Sequence, residues 1–370
     1  QPSEDWIDQF LTNIQFDIVH VTSVHSLGVG ALRSVSRSGT PLILTLMDFW
    51  FVCPNAQLIR SDGALCDGRT TAWQCQSCLM AQSGFFREIQ KIPVPELVQS
   101  LYWGSLSKLP SLSSKRGMRG MLLDIDERKQ ILQEALAIPD HILAHSVFVK
   151  EIFELNTANP VTLLEHGIDL AWLKNYHGKT NFNKVRFGYI GQLSRAKGIH
   201  VLINAFNQSQ LASKAILRIW GDTTRDPAYV RLLDQIRNEN QSIELCGRFE
   251  QDDLASVLSE IDVLVIPSIW YENSPLVIKE AFAASTPVIA TNLGGMAEMV
   301  THNGDGLLFE LGDVDDLVIQ LRRVIEEPRL LKNLKAGIKP VKSIQQEVVE
   351  LETVYQSLAV DDKNIVNLPH

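Results

Sequence analysis

Short apolar runs alternate with amphipathic stretches from residue 185 onward, and this alternation constrains the fold more than any other feature. Each apolar run has the length of a buried strand, and helical periodicity lies between the runs, as in Ile199–Asn207 and Ala228–Asn238. Because strand–helix repetition joins parallel strands through right-handed crossovers, this half is predicted to form a parallel sheet covered by helices. The predicted strands are Val185–Ile190, Ala215–Trp220, Ser242–Leu245, Asp262–Ile266, Pro287–Thr291 and Gly306–Phe309.

Strand signals are sparser in the first half, at Phe16–Val21, Pro41–Leu46, Ile142–Ala144 and Thr162–Leu164. A length of 370 residues exceeds one ordinary core and predicts two domains. Hydrophobic residues make up 45% of the chain and charged residues 21%, so each domain can bury a core. The net charge of -9 argues against nucleic acid as the main partner. No apolar run approaches the roughly 18 residues of a membrane span, so a cytoplasmic protein is predicted.

The clearest chemistry follows the apolar run Ile261–Ser268, which is predicted to be a buried strand. Asn273 or Ser274 is predicted to cap a helix there, with Pro275 in its first turn, where no amide hydrogen is needed. The chain would thus pass from strand to helix at the carboxyl edge of the sheet, where open parallel sheets bind ligands.

Two carboxylates flank this predicted helix start. Glu272 lies in the loop, and Glu280 lies about two turns into the helix. Free amides and the positive end of the helix dipole would hold a phosphate between the two acids. One acid would then meet a sugar and the other a ribose, which is the geometry of a nucleotide-sugar site.

The loop Gly191–Gly198 is a second candidate for the same site. It follows a predicted strand and opens a helix, so its amides can face a diphosphate, and Lys197 adds a positive charge. A plain strand–helix turn with a solvated lysine explains these residues equally well when they are taken alone.

Five segments of the chain, taken in their order along the sequence, together resemble the retaining glycosyltransferases of family 4. The resemblance runs from about Phe16 to Leu358. It implies an α/β protein with the GT-B fold, in which two Rossmann-like doubly wound domains face each other across a cleft. The matching segments are Gly191–Gly198, Trp220–Asp222, Cys246–Phe249, Glu272–Glu280 and Thr291–Glu298.

The resemblance also implies a domain layout. Residues 1–175 would form an acceptor-binding domain with a cysteine-rich insertion at 53–78. Residues 176–345 would bind the nucleotide sugar, and residues 346–370 would form a helix and tail that pack back on the first domain. A complete first domain of this fold opens with a strand and a glycine loop. We find neither upstream of Phe16 and expect the first strand to be missing.

In this family the donor pocket surrounds the two spaced glutamates. The resemblance assigns Glu280 to the ribose, and Glu272 to the sugar hydroxyls or the developing positive charge. Gln192 stands where the family usually has arginine, so the second charge at the phosphates falls to Arg195. Gly294 and Gly295 precede another short helix whose amides would touch the donor, unless they form only a tight turn. The predicted donor-binding residues are Gly191, Arg195, Lys197, Gly221, Arg248, Phe249, Asn273, Ser274, Pro275, Leu276 and Glu280.

The first domain is expected to add catalytic groups beside Glu272. Asp48 ends a predicted strand and would orient the acceptor hydroxyl, although Met47 replaces the histidine that often precedes this aspartate in the family. His25 is a further catalytic candidate near a strand end, and His166 is an alternative to it. A structural histidine near a domain boundary explains either one without catalysis.

The resemblance implies a hexosyltransferase that retains anomeric configuration. It would move glucose or another hexose from a UDP-sugar to a glycan or lipid-linked acceptor in polysaccharide biosynthesis. No side chain is placed as a nucleophile, so we expect front-face departure of the nucleoside diphosphate without a metal. The alternatives are a GDP-mannose-dependent mannosyltransferase, a phosphorylase or epimerase of the same fold, and a catalytically silent subunit. A nicotinamide-dependent oxidoreductase ranks last, because no Gly-x-Gly-x-x-Gly follows a predicted strand.

Four of the five cysteines lie close together in the sequence, at Cys53, Cys66, Cys75 and Cys78. Cysteines clustered in this way predict a structural Zn²⁺ site that closes a loop without its own core. Free or partly paired thiols in a surface loop are the other interpretation.

The segment Phe85–Met121 carries a local excess of basic side chains interleaved with aromatic ones, which predicts contact with anionic lipid at the inner face of a membrane. Amphipathic helices with a solvated basic face are the alternative. Asp124 and Asp126 resemble the metal-binding pair of a different glycosyltransferase fold, but their helical context favours a solvated helix face.

Overall fold

The computed structural model describes residues 2–25, 27–81, 95, 98, 101, 125–237 and 240–364. The chain divides into two compact units. The first unit comprises Gln1–His145, Val149–Leu163 and Glu352–His370, and the second comprises Ser146–Phe148 and Leu164–Leu351. Apart from the three isolated positions, the basic segment Phe85–Met121 lies outside the described residues, as do Asp124 and the side chain of Asp126.

The first unit contains a parallel sheet in the order β1-β2-β3-β4. All four predicted strands are confirmed, within three residues at each end. Strand β2 is fully buried, and Val24, Leu32, Val35 and Ala135 pack around its first residue. The elements are α1 (Pro2–Asn13), β1 (Val19–Val21), α2 (Gly30–Ser38), β2 (Leu42–Leu46), α3 (Ala72–Ala81), α4 (Ile125–Leu136), β3 (His141–Ala144), α5 (Val147–Glu154) and β4 (Val161–Leu163).

The second unit alternates strands and helices as its apolar pattern predicts, and all six predicted strands are confirmed. Short 3₁₀ turns occur at Ala171–Asn175, Arg195–Lys197 and Gln251–Asp253. The elements are β5 (Val185–Ile190), α6 (Ile199–Ser209), β6 (Ala215–Trp220), α7 (Pro227–Arg237), β7 (Ile243–Gly247), α8 (Leu254–Ser259), β8 (Val263–Ile266), α9 (Leu276–Ala283), β9 (Val288–Thr291), α10 (Gly294–Met299), β10 (Gly306–Phe309), α11 (Val314–Glu326) and α12 (Leu330–Gly337). The last helix, α13 (Ile344–Asn364), belongs to this unit up to Leu351 and to the first unit from Glu352 onward.

The strands of the second unit form one parallel sheet in the order β10-β9-β8-β5-β6-β7. From β5 the chain adds β6 and β7 toward one edge of the sheet. It then returns to the other side of β5, where it adds β8, β9 and β10 toward the opposite edge. The order therefore reverses between β5 and β8. In open parallel sheets, the crevice beyond the carboxyl ends of the strands at such a reversal is where ligands bind.

A buried ion pair links β5 to the residue before β8. The Arg186 side chain is 3% exposed, and its Nε and Nη2 donate to the two Asp262 carboxylate oxygens at 3.0 and 2.9 Å. The Arg186 backbone amide adds a third bond to that carboxylate at 2.9 Å. Burial opposes ionisation of Asp262, but the bonds from Arg186 prevail and hold its pKa below the ordinary value.

Within the first unit, the end of α13 reaches the start of the sheet. The Tyr355 hydroxyl is hydrogen-bonded to His20 Nδ1 at 2.8 Å, and His20 Nε2 to the Thr45 hydroxyl at 2.6 Å. Burial lowers the pKa of His20, which favours its neutral ring. The C-terminal helix is thereby attached to β1 and β2 through a polar chain.

No helix among the described residues combines the length and apolar character that crossing a bilayer requires.

Candidate functional site

Two loops meet at the reversal point of the larger sheet, one after β5 and one after β8. Gly198 has a φ of +68°, and a Cβ added there would lie 1.8 Å from the Pro267 carbonyl oxygen. The Ile269 amide also donates to the Ala196 carbonyl at 2.8 Å. Because only glycine permits this approach, the β5 loop lies directly against the end of β8.

Glu272 is anchored where these loops touch. The residue is 7% exposed, and its Oε1 accepts from Lys197 Nζ at 2.7 Å. The same oxygen accepts from the Ser268 hydroxyl at 2.7 Å and from Trp270 Nε1 at 2.8 Å. Lys197 also lies 5.2 Å from the Trp270 ring centroid, so the aromatic face adds a cation–π contact. Three donors thus fix one carboxylate oxygen in a nearly water-free position.

The ion pair between Lys197 and Glu272 is a contact that our sequence analysis missed. The sequence predicted Lys197 at the phosphates and Glu272 at the sugar, but it did not predict that the two side chains touch. Ser268 and Trp270 were missed as well. The available signal was that both can donate a hydrogen bond and lie four and two residues before Glu272 in the same loop.

The start of α9 differs from the prediction. The helix begins at Leu276, and Pro275 precedes it as the capping residue, with extended geometry and no side-chain cap. The prediction of Asn273 or Ser274 as the cap, with Pro275 in the first turn, is therefore wrong. The Gly295 amide holds the preceding loop through the Glu272 carbonyl, and Pro275 leaves that loop with extended geometry, so the helix starts one residue later. The Pro275 carbonyl accepts from the Ile278 amide at 3.1 Å.

The first amides of α9 are available to a ligand. In the part of the chain that the structure describes, the Leu276 and Val277 amides have no hydrogen-bond partner. Leu276 as a whole residue is 43% exposed, so this end of the helix is open to solvent. Amides of this kind, with the helix dipole behind them, bind anions.

Glu280 lies within α9 and is half-buried. Burial raises its pKa, and a hydrogen bond from the Gln251 side chain opposes that rise. Gln251 follows the turn after β7, so Glu280 faces that loop, whereas Glu272 contacts the loop after β5. The two acids therefore serve different loops of the sheet edge.

The ends of β5, β6 and β7 are joined by backbone bonds at this edge. The Gly191 amide donates to the Trp220 carbonyl at 3.1 Å, and the Gly221 amide donates to the Gly247 carbonyl at 2.9 Å. Beyond β7, Arg248 is exposed and pairs with Glu250 at 3.3 Å. Phe249 is half-buried and packs on the core of the second unit.

Arg195 does not accompany Lys197 at Glu272. Its side chain is exposed, with the guanidinium 5.9 Å from the Tyr229 ring centroid. Gln192 is exposed too, and its backbone carbonyl accepts from the Tyr189 hydroxyl at 2.9 Å. In this structure Lys197 contacts the buried acid, whereas Arg195 lies toward α7.

Gly294 and Gly295 are the first two residues of α10 rather than residues before it, which corrects the predicted boundary. The Gly295 amide donates to the Glu272 carbonyl at 3.1 Å, and a Cβ added to Gly295 would lie 1.9 Å from the Asn273 carbonyl oxygen. These glycines thus support the loop that carries Glu272. Ser274 contributes a weaker contact to Met299 at 4.0 Å.

In the first unit, His25 and Asp48 line one small pocket beyond β1 and β2. The Asp48 carboxylate accepts from the Trp50 amide at 2.8 Å, and the exposed His25 ring lies 6.1 Å from the Trp50 ring. Met47, at the position where the family often has histidine, is 44% exposed. The structure brings the two predicted acceptor-side residues together.

His166, the alternative to His25, lies in the second unit. Its Nδ1 is 3.2 Å from Glu347 Oε1, and the other Glu347 oxygen accepts from the Gly167 amide at 2.8 Å. Burial lowers the pKa of His166, and the Glu347 carboxylate opposes the shift. This environment ties His166 to the start of α13.

Comparison with known proteins shows what the unit that contains Glu272 is similar to. Residues 174–339 match the model of the family described as glycosyl transferases group 1. This segment is therefore similar to the group 1 glycosyltransferases. The chain is 30% identical over 224 residues to an uncharacterized glycosyltransferase of Methanocaldococcus jannaschii, a match that covers 60% of each protein. It is 26% identical over 202 residues to the N-acetyl-alpha-D-glucosaminyl L-malate synthase of Bacillus anthracis, covering 53% of this chain and 51% of that enzyme. The chain therefore spans only about half to three-fifths of these glycosyltransferase relatives.

A solved structure shows the fold of the part of the chain that the structure describes. Anabaena HepE, crystallised in complex with UDP and glucose, superposes with a TM-score of 0.65 at 17% identity, covering 96% of this chain and 81% of HepE. The two parallel α/β units thus have the GT-B glycosyltransferase fold, as the sequence predicted.

Proposed function

We propose that the protein transfers a hexose from a UDP-sugar to a glycan or lipid-linked acceptor, with retention of anomeric configuration. The observation that carries this proposal is the anchored Glu272–Lys197 pair at the sheet reversal, beside the open amide end of α9. The match of residues 174–339 to the group 1 glycosyltransferase model supports the reaction class. The UDP and glucose bound to Anabaena HepE support the choice of donor.

The diphosphate is proposed to bind at the start of α9. The Leu276 and Val277 amides would donate to the phosphate oxygens, and the helix dipole would favour their charge. Lys197 would share its ammonium between Glu272 and the nearer phosphate. As the donor bond breaks, negative charge grows on the leaving diphosphate, and these fixed donors stabilise it without reorganising.

Glu272 is proposed to serve the sugar. Its bonds to protein donors all fall on Oε1, and its Oε2 has no hydrogen-bond partner among the described residues. A carboxylate oxygen held in this way can accept from a sugar hydroxyl, and its charge can stabilise an oxocarbenium-like transition state. Trp270 and Ser268 keep the group oriented while the sugar changes shape.

Glu280 is proposed to bind the ribose hydroxyls, with the exposed turn Arg248–Phe249 covering the base. A diol that donates two hydrogen bonds stabilises the ionised carboxylate, whose desolvation raises the pKa of Glu280. Nucleotide binding should therefore lower the pKa of Glu280. His25 and Asp48 are proposed to orient the acceptor hydroxyl.

A thermal-shift series with UDP, GDP and ADP tests the donor assignment. We expect UDP to raise the melting temperature most. A larger rise with GDP would favour the GDP-mannose-dependent alternative, and no rise with any of the three would contradict a nucleotide site. Hydrolysis or transfer from the matching sugar nucleotide would then distinguish an enzyme from a catalytically silent subunit.

The variant Lys197→Ala tests the site itself. Loss of one charge-assisted contact should weaken donor binding and turnover by about tenfold or more. Lys332→Ala is the matched control, because Lys332 is exposed on α12 and its change should leave donor binding intact. Equal UDP affinity in folded Lys197→Ala and in the control would remove the lysine from the proposed site.

A further inference from the structure

The loop between β2 and α3 has little regular structure to hold it. Residues 47–71 contain no strand or helix beyond one isolated antiparallel bridge, Ile59↔Leu65. Ala56 and Leu58 adopt left-handed backbone geometry, with φ of 57° and 52°, although neither is glycine. Such conformations persist only where the surroundings impose them. A loop of this length without secondary structure is uncommon in a compact unit, and such loops are usually functional or disordered.

Four cysteines converge on this loop from three places in the chain. The Cys53 amide donates to the Phe49 carbonyl at 2.7 Å, and the Cys66 amide donates to the Leu58 carbonyl at 2.8 Å. Cys75 and Cys78 are three residues apart on α3, which places them on one helix face. All four line a single cavity of about 390 Å³.

Polar groups around the sulfurs suit thiolate ligands. The Thr70 hydroxyl lies 2.9 Å from Cys75 Sγ, and the Asn55 side-chain amide donates to Cys78 Sγ at 3.7 Å. Hydrogen bonds of this kind orient metal ligands and reduce the charge on sulfur. A bound cation would stabilise the thiolate form of these cysteines directly.

A half-buried arginine faces the same cluster. Arg128 donates from Nη2 to the Trp50 carbonyl at 2.7 Å, and its guanidinium lies 5.1 Å from the Trp50 ring centroid. It has no carboxylate partner among the residues that the structure describes. Arg128 and Cys75 line the same small pocket, and Cys53 and Cys75 oppose the lowering of the Arg128 pKa by burial. Negative charge on these sulfurs would give this guanidinium its counter-ion.

We propose that Cys53, Cys66, Cys75 and Cys78 bind one Zn²⁺ as thiolates and thereby cross-link the loop to α3. Binding releases the four thiol protons and forms four Zn–S bonds, with no change of oxidation state. The complex carries a net charge of about −2, and the nearby guanidinium offsets part of it. Four thiolates also suit an iron–sulfur cluster. We assign zinc because a redox-inert ion is sufficient to cross-link the loop to α3.

Closure of the site requires a local contraction. Tetrahedral Zn–S bonds of about 2.3 Å place the sulfurs about 3.8 Å apart. In the described part of the chain, no three of these four sulfurs lie within 4.8 Å of one another. The cavity between them leaves room for the loop to move inward. Metal binding should therefore change the environment of Trp50, which lies beside Arg128.

Metal analysis of the full-length protein, expressed with zinc in the medium, tests the assignment. We expect about one zinc per chain, released in step with titration of the thiols by a mercurial reagent. Cys66→Ser and Cys75→Ser should each lower zinc affinity by about 100-fold or more. Cys246→Ser is the matched control and should retain the metal, since Cys246 is exposed on β7 in the other unit.

Cobalt substitution of the wild-type protein gives a readout that does not depend on the folding of a variant. Intense visible bands and a sulfur-to-cobalt charge-transfer band are expected for a tetrahedral thiolate site. Any of three results would overturn the proposal. The first is protein that lacks zinc and whose thiols all react at once. The others are a mass loss that reveals disulfides and iron in place of zinc.

Discussion

The ion pair between Glu272 and Lys197 can be measured through a double-mutant cycle. Glu272→Gln keeps the side-chain shape and an oxygen that can accept from Ser268 and Trp270, but it removes the charge. Lys197→Met removes the ammonium and keeps much of the apolar stem. The two single variants and the double variant therefore separate the charge interaction from the neutral contacts.

The magnitude follows from burial. The Glu272 side chain is 9% exposed and that of Lys197 is 25% exposed. Exposed pairs contribute about 0–1 kcal/mol, and breaking a fully buried pair costs about 3–5 kcal/mol. This pair lies between these limits, so Glu272→Gln should lower the free energy of unfolding by about 2 kcal/mol. At about 2–4 °C per kcal/mol for a domain of this size, the melting temperature should fall by about 4–8 °C.

The cycle is measured by urea and thermal unfolding of the wild type and the three variants. We expect a coupling energy of about 1–2 kcal/mol, as found for residues in direct contact. Glu326→Gln is the control for loss of an acid, because Glu326 is exposed at the end of α11. Additivity of the two single changes within about 0.5 kcal/mol would refute the pair as a stabilising contact.

Three further predictions concern the same unit. Burial raises the pKa of Glu280 in the folded state, so its ionised form lowers the stability of the protein once the pH rises above the ordinary pKa of a glutamate. Glu280→Gln should therefore raise the melting temperature at pH 7 but not at pH 4. The same change should weaken UDP binding about tenfold in calorimetry. The pKa of Asp262 is lowered in the folded state. Its contribution to the free energy of unfolding is therefore present above the ordinary pKa of an aspartate and is lost as the pH falls through the lowered pKa. Asp262→Asn should therefore cost about 3–5 kcal/mol at pH 7 in urea unfolding, and much less near pH 2. Gly198→Ala should lower the melting temperature of the protein more than Gly312→Ala does. Both glycines have a φ of +68°, but of the two only Gly198 has an atom close to an added Cβ, the Pro267 carbonyl oxygen. Equal losses of melting temperature would mean that the Pro267 contact does not matter.

The sequence predicted the strands well, because a buried parallel strand is a short apolar run that stands out from its surroundings. The helix start near Pro275 was predicted one residue too early. Capping preferences describe isolated helices, whereas here the loop before the helix is held by the Gly295 amide at Glu272.

The contacts within the candidate site were harder to predict. Lys197 and Glu272 are 75 residues apart, and only the sheet order brings β5 next to β8. The identity of each residue could be proposed from local pattern, but their pairing depends on topology. For the cysteine cluster, the sequence spacing already suggested that the four residues act together at a metal. The structure adds the cavity that they line and the nearby Arg128.

The two ends of the proposed donor pocket differ in how freely they can vary. Glu272 is enclosed by partners from two loops, so almost any exchange there disturbs several others. Arg248 and Glu250 have side chains 69% and 74% exposed and pair with each other. Mutational drift should therefore accumulate in the turn after β7 long before it reaches the acid. Among descendants of this chain, a new nucleotide preference would be a smaller evolutionary step than a new sugar chemistry.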